Sequence, residues 1–282
     1  MQFRIVIISP PGFEHAAAFT EVAETLAYGF KALGHRADIA LNAFLPEAVN
    51  VVLGCHMLPA SAITQLPPET VVYNLEQVED SLFQWAPQLK DIFAKFEVWD
   101  YSLRNMERLA ALGLAPRLHY LPIGTVPELT RITPAQSQDI DVLFYGVVSE
   151  RRRLILKAIQ DGGLNVAAVF GCYGAARDAL IARSKLVLTL HKHEAQVFEV
   201  VRASYLLANG KAVVAEINDS TAIDPDLADA VAGGPPDSLP ALCRRLVDDP
   251  AARQALEQRG YATMTARQES RYLTALLAAR GG

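Results

Sequence analysis

The chain is short of cysteine, of positive charge and of long apolar runs, and each shortage excludes something. Its three cysteines, Cys55, Cys172 and Cys243, are scattered over 282 residues without the spacing of metal ligands. They cannot all pair, so a disulfide framework is not expected, and a reducing, cytoplasmic location is. Lys and Arg number 26 against 31 Asp and Glu, a formal charge of −5. A nucleic-acid surface needs a broad basic field, so no nucleic-acid partner is expected, although a local basic pocket is compatible with this balance. No segment approaches the roughly 20 apolar residues of a membrane helix, so no transmembrane segment is expected. The opening MQFRIVIISPPGFEH holds an apolar run too short for a secretory leader, closed by Pro10-Pro11-Gly12. The spaced glycines of a dinucleotide turn and the P-loop motif are both missing. So are internal repeats and low-complexity segments.

What is present is a patterned, core-forming chain, 51% apolar and 20% charged. Short β-rich runs alternate with segments of helical period. FRIVIIS (3–9), ADIAL (37–41), NVVLG (50–54), TVVYNL (70–75), FEVWDYS (96–102) and RLHYLP (117–122) read as strands. Helical patterns closed by Gly34 and Gly113 lie among them. The rhythm stops at the polar, proline-containing stretch 123–140 and resumes with DVLFYG (141–146), NVAAVF (165–170), KLVLTLH (185–191) and AVVAE (212–216). Strand and helix in alternation imply parallel βαβ units. The fold expected is α/β, with two Rossmann-like parallel-sheet domains facing a central cleft. Residues 1–125 would form the first domain, 126–140 a linker, and 141–282 the second domain with its terminal helices.

Ligands of open parallel sheets bind beyond the carboxyl ends of the strands, where helix N-termini offer free N–H groups. Four such corners carry chemistry. After the first strand, Glu14 and His15 stand near a helix start, where His15 suits a general base and Glu14 equally suits a helix-capping carboxylate. In YNLEQVED (73–80), Glu76 is the better candidate base and Glu79 the lesser; either could instead offset a helix dipole. In FYGVVSERRR (144–153), Gly146, an N-cap at Ser149 and one or two of Arg151, Arg152 and Arg153 suit a diphosphate. Guanidinium binds phosphate in a bidentate fork, and positive charge at a helix start is unfavourable unless an anion is near. The fourth corner crowds His191, His193, Glu194, Glu199 and Arg202 into an otherwise apolar stretch. His191 and His193 would share one side if the strand ran through them, yet no third ligand has metal spacing, and no metal site is expected. Glu199 and Arg202 lie three apart on a helix that should be largely buried, and a buried arginine needs a carboxylate or phosphate partner.

DVLFYGVVSERRR, GCYGAARDALIARSKLVLTLH and VVRASYLLANGKAVVAE resemble, in order, the carboxyl-terminal half of a GT-B glycosyltransferase. The group-one-like and spore-protein-like bacterial branches are the most similar. In the first half, VYNLEQ and VWDYSLRNMERLAALGLAPRLHYLPIG resemble the same group. The resemblance implies transfer of a sugar from a nucleoside-diphosphate sugar, held by the second domain, to an acceptor held by the first. The acceptor could be a glycan, a peptide or a small molecule. Gly146, Ser149 and Arg151 would match the diphosphate loop. His191, His193, Glu199 and Arg202 would match the donor corner, and Gly210 the glycine closing the donor-binding helix. Many retaining members carry glutamates five and thirteen residues before that glycine; Tyr205 and Val197 stand there instead. An inverting route with His15, Glu14 or Glu76 as base is therefore expected. No cofactor and no Asp-x-Asp metal site are expected, cationic side chains stabilising the leaving diphosphate. A catalytically silent nucleotide-sugar-binding protein and a nucleotide-sugar epimerase on the same scaffold are the alternatives.

Overall fold

The computed structural model describes residues 1–193 and 196–281. The chain forms two units, Met1–Val126 with Gln268–Gly282, and Pro127–Arg267. In the first, strands β1 (Gln2–Ile7), β2 (Arg36–Leu41), β3 (Val49–Leu53), β4 (Thr70–Asn74), β5 (Glu97–Asp100) and β6 (Leu118–Tyr120) pair in the order β2-β1-β3-β4-β5-β6. In the second, β7 (Ile140–Tyr145), β8 (Val166–Val169), β9 (Ser184–Thr189), β10 (Ala212–Glu216) and β11 (Ala232–Gly234) pair as β11-β10-β9-β7-β8. Every pairing is parallel. Parallel strands are covered on both faces, which explains the unbroken burial of β4 and β10. Val6, Val52, Val72 and Val98 lie in one core, and Phe144, Leu186, Leu188 and Val214 in another. No described helix is long and apolar enough to cross a membrane.

Two boundaries differ from the sequence-based expectation. The last helix, Glu269–Gly281, belongs with the first unit rather than the second. It seats against the helix Thr20–Ala32 at Gly29, where a Cβ would stand only 2.8 Å from both Glu269 Cγ and Leu273 Cδ1. Glu269 accepts the Gly124 amide at 2.8 Å and its own amide donates to the Thr125 carbonyl at 3.0 Å. Arg280 adds an ion pair with Glu97 at 2.7 Å.

The stretch 126–140, expected as a linker, is chain that is largely packed into the second unit from Pro127 onward. The amides of Arg131 and Ile132 both donate to Asn209 Oδ1, at 2.7 and 2.8 Å. Thr130 Oγ1 donates to the Ala208 carbonyl at 3.0 Å, and the Ala135 amide to the Ala182 carbonyl at 3.0 Å. Asn209 and the carbonyls of Ala208 and Ala182 thus hold a polar segment that carries no period of its own.

Candidate functional site

In the second sheet the chain leaves β7 one way to reach β8 and the other way to reach β9. Ligands of open parallel sheets bind where the strand order reverses, which puts the candidate site at the carboxyl ends of β7 and β9. The residues 146–149, 190–193 and 196–199 belong to the loops that follow these strands. Two apolar strands, ended by Gly146 and by the Leu190-His191 turn, thereby bring ionisable groups to one edge.

Arg202 lies in the first turn of the helix Val200–Ala208. Its guanidinium sits 5.0 Å from the Tyr145 ring centroid and against Gly146. Gly146 has φ +144°, and a Cβ there would meet Arg202 Nη2 at 3.1 Å, so glycine answers both the backbone and the close approach. The Glu199 carboxylate is 3.8 Å from Nη2, and Nη1 is buried with no hydrogen-bond partner among the described residues. Two buried polar atoms of the preceding loop, His191 Nδ1 and Gln196 Oε1, likewise have no partner among the described residues. Buried polar groups are almost always paired in folded proteins, so three orphans in one corner mark a place where a polar ligand belongs.

His191 is held from three directions. Its amide donates to Glu216 Oε2 at 3.0 Å, its carbonyl accepts from Arg152 Nε at 3.3 Å, and its Nε2 stands 3.1 Å from Thr221 Oγ1. Burial lowers the imidazole pKa, partly opposed by Glu216 and Glu199. The ring is therefore neutral at pH 7.

The three consecutive arginines diverge. Arg151 forks onto Glu216, with Nη1 to Oε2 at 3.0 Å and Nη2 bonded to Oε1. Arg152 is buried and staples two loops: Nη1 donates to the Val147 carbonyl at 2.9 Å, and Nη2 to the Leu190 carbonyl. Arg153 pairs outward with Glu150 at 2.7 Å. Ser149 caps the helix Glu150–Asp161 through the Arg152 amide at 3.4 Å. Arg151 is thus tied to a carboxylate, whereas Arg202 has an open donor.

The other expectations are placed as follows. β9 ends at Thr189, so His191 and His193 do not share the face of a strand; His193 lies on a bend. Glu199 is the residue preceding the helix and makes no capping bond through its side chain. Glu194 lies outside the described residues. Gly210 is corrected: at φ +64° it closes the helix Val200–Ala208 at the amino end of β10, the edge opposite His191 and Arg202. Its amide reaches the Leu207 carbonyl and that of Lys211 the Leu206 carbonyl, both at 3.0 Å, the paired bonds of a Schellman turn. Tyr205 donates to Asp178 at 2.9 Å and accepts from Arg131 at 3.0 Å. Burial pushes its phenol up to about 12.

Asp-x-Asp triplets do occur, at 139–141 and 224–226, contrary to the expectation of none. Their carboxylates are each paired with a cation: Asp139 with Arg183, Asp141 with Lys185, and Asp224 and Asp226 with Arg267. Among the described residues, no three His, Cys, Asp or Glu side chains gather as a metal-binding group.

In the first unit, Glu14 is exposed and His15 half-buried on the 3-10 segment Glu14–Phe19, His15 edge-on to Phe13 at 5.2 Å. Glu76 lies in a bend after β4 rather than at a helix start. Its carboxylate faces His56, Oε1 to Nδ1 3.4 Å. Sequence reasoning missed His56. The signal that could have found it is the Gly54-Cys55-His56 corner directly after β3, the strand next to β4.

No family model matches the chain. It is 25% identical over 165 residues to protein L137 of Acanthamoeba polyphaga mimivirus, a match covering 56% of this chain and 22% of L137. The matched segments span half or less of the length of the curated relatives. Among solved structures, Anabaena HepE in complex with UDP and glucose superposes over 99% of both chains, with a TM-score of 0.62 and 11% identity. AviGT4, a glycosyltransferase of avilamycin A biosynthesis, superposes over 99% of this chain and 96% of its own, with a TM-score of 0.61 and 14% identity. At such identities these likenesses show the fold: two parallel α/β units of the GT-B kind.

Proposed function

We propose that this protein is a glycosyltransferase whose second unit holds the diphosphate of a nucleoside-diphosphate sugar and whose first unit takes the acceptor. The observation that carries the reading is Arg202 Nη1, buried without a partner among the described residues, as are His191 Nδ1 and Gln196 Oε1 of the segment that follows β9. A guanidinium stem anchored on Tyr145, with one donor open, suits a phosphate oxygen. His191 completes it in the tautomer whose Nε2 accepts from the Thr221 hydroxyl, for Nδ1 then carries the proton and is a second donor. Gln196 Oε1, an acceptor, suits a hydroxyl or base N–H of the donor. The likeness to HepE, which binds UDP and glucose, supports the same reading.

The finer reading is metal-independent and inverting. Cationic and N–H donors would stabilise the diphosphate as it leaves, the Asp-x-Asp carboxylates being tied to Arg and Lys. His15, Glu14 and Glu76 are the candidate bases. Calorimetry with UDP, ADP and GDP, followed by product analysis with UDP-glucose and an acceptor panel in EDTA, tests this. Absence of binding by every nucleoside diphosphate would refute it. A silent nucleotide-sugar-binding protein is the second reading, favoured by Tyr205, whose hydroxyl is spent on Asp178 and Arg131. Tight binding without transfer to any acceptor would select that reading.

A further inference from the structure

One corner of the first unit carries more than the candidate base Glu76. His56 and Glu76 follow the adjacent strands β3 and β4, and His56 Nδ1 stands 3.4 Å from Glu76 Oε1. Among the described residues Nε2 makes no hydrogen bond, so the ring has one open position. The turn carrying it is clamped by Gln88, whose Nε2 donates to the carbonyls of His56 at 2.7 Å and Leu58 at 3.3 Å. Burial lowers the imidazole pKa against the pull of Glu76, leaving a neutral ring beside a carboxylate. The Trp85 indole meets that ring edge-on at 5.4 Å and 78°, yet is itself 51% exposed.

An exposed indole next to a half-open imidazole–carboxylate pair offers two unlike surfaces at once. One is a flat apolar face, the other a rim of hydrogen-bond acceptors and donors. A purely aliphatic or aromatic ligand would use the indole and leave the pair idle. A phosphate would be repelled by Glu76. A pyranose has both surfaces, C–H bonds on one face and hydroxyls around the edge, the pattern that small-molecule sites answer with an aromatic wall and a few placed polar groups.

We propose that His56, Glu76 and Trp85 form a pyranose-binding subsite in the first unit. The sugar ring lies on Trp85, and its hydroxyls donate to Glu76 and bond to His56 Nε2. Naming that sugar as the acceptor rests on the transferase reading; the binding does not.

The test uses the full chain labelled with 15N, which has two indole N–H signals, from Trp85 and Trp99. Trp99 is buried and bonded to Glu97, so it reports folding and should not respond to sugar. The probes are the methyl α- and β-pyranosides of glucose, galactose and mannose, each titrated to about 100 mM, well above a millimolar Kd. A saturable shift of the Trp85 signal is expected with at least one probe, Trp99 holding still. H56Q and E76Q should each weaken that binding about tenfold, the loss of one hydrogen bond to the sugar. No Trp85 shift with any probe, or unchanged affinity in both variants with Trp99 in place, overturns the subsite. UDP calorimetry on the same samples separates the two proposals: UDP binding without sugar shifts sinks this one alone, and the converse sinks the nucleotide reading alone.

Discussion

Replacing Arg202 by methionine keeps most of the apolar stem and removes the guanidinium, and its effects on stability and on binding should part company. In the free protein the change removes a buried Nη1 without a partner, whose desolvation costs about 1–3 kcal/mol. It also removes the 3.8 Å contact with Glu199, partly exposed and worth at most about 1 kcal/mol. The cation–π contact with Tyr145 at 5.0 Å, about 0.5–1 kcal/mol, goes as well. These contributions oppose each other, so the change in unfolding free energy in urea should lie between a loss of about 1 kcal/mol and a gain of about 2.5 kcal/mol. Binding has no such offset. A charge-assisted hydrogen bond to phosphate contributes about 1.5–3 kcal/mol, so the Kd for UDP should rise roughly 10- to 150-fold. R202K, which keeps the charge and loses the fork, should fall between. Calorimetry at fixed ionic strength, with urea unfolding of the same preparations, measures both sides. UDP binding by folded R202M within about threefold of wild type would remove Arg202 from the site, and a stability loss above about 3 kcal/mol would make it a structural ion instead.

Three further outcomes are expected. G146A should weaken UDP binding and cost about 1–2 kcal/mol of stability, because φ is +144° and the new methyl meets Arg202 Nη2 at 3.1 Å; unchanged UDP affinity would show that Arg202 need not lie against this loop. G210A should cost about 1 kcal/mol in urea and leave UDP affinity as it was, since it strains a helix terminus at the far edge of the sheet; a loss of affinity in a stable variant would restore Gly210 to the donor site. Asp100 is buried, and desolvation raises its pKa to about 7 although Asn74, Ser102 and Asn105 all donate to it. Because the folded value lies above the unfolded one, this group's contribution is complete below about pH 4 and is lost as pH rises through 7, by up to about 4 kcal/mol. The stability of wild type minus that of D100N should therefore fall between pH 5 and pH 8 in urea titrations, and a flat difference would contradict the buried, protonated carboxyl.

Much of the fold could be read from local patterns because each pattern has a local cause. TVVYN and AVVAE carry consecutive apolar residues rather than alternating ones, and only strands covered on both faces tolerate that. Gly34 and Gly113 adopt the left-handed backbone that ends a helix, so their positions carried meaning before any contact was known. Arg202 stood out for the same kind of reason, as a charge inside an apolar helical run. What could not be read was direction and partnership. The three arginines at 151–153 are indistinguishable in the sequence, yet one is tied to Glu216, one is buried against three carbonyl groups and one faces Glu150. Gly210 looked like part of the donor corner because it closes a helix that begins there, but nine helical residues carry the chain to the other edge of the sheet.

The residues alone determined that this chain would build parallel α/β units, where most strands run, and that ionisable groups would gather after the strands of the second unit. Those features depend on the period of apolar side chains and on backbone preferences, both set by neighbours within a few residues. Only the tertiary structure decided that the final helix joins the first unit, that His56 meets Glu76, and that Arg151 forks onto Glu216 while Arg202 Nη1 is buried without a partner among the described residues. Each of these joins residues distant in the chain or turns on which neighbour a side chain reaches, and such pairings are selected by the packing of whole elements, which no short window of sequence contains.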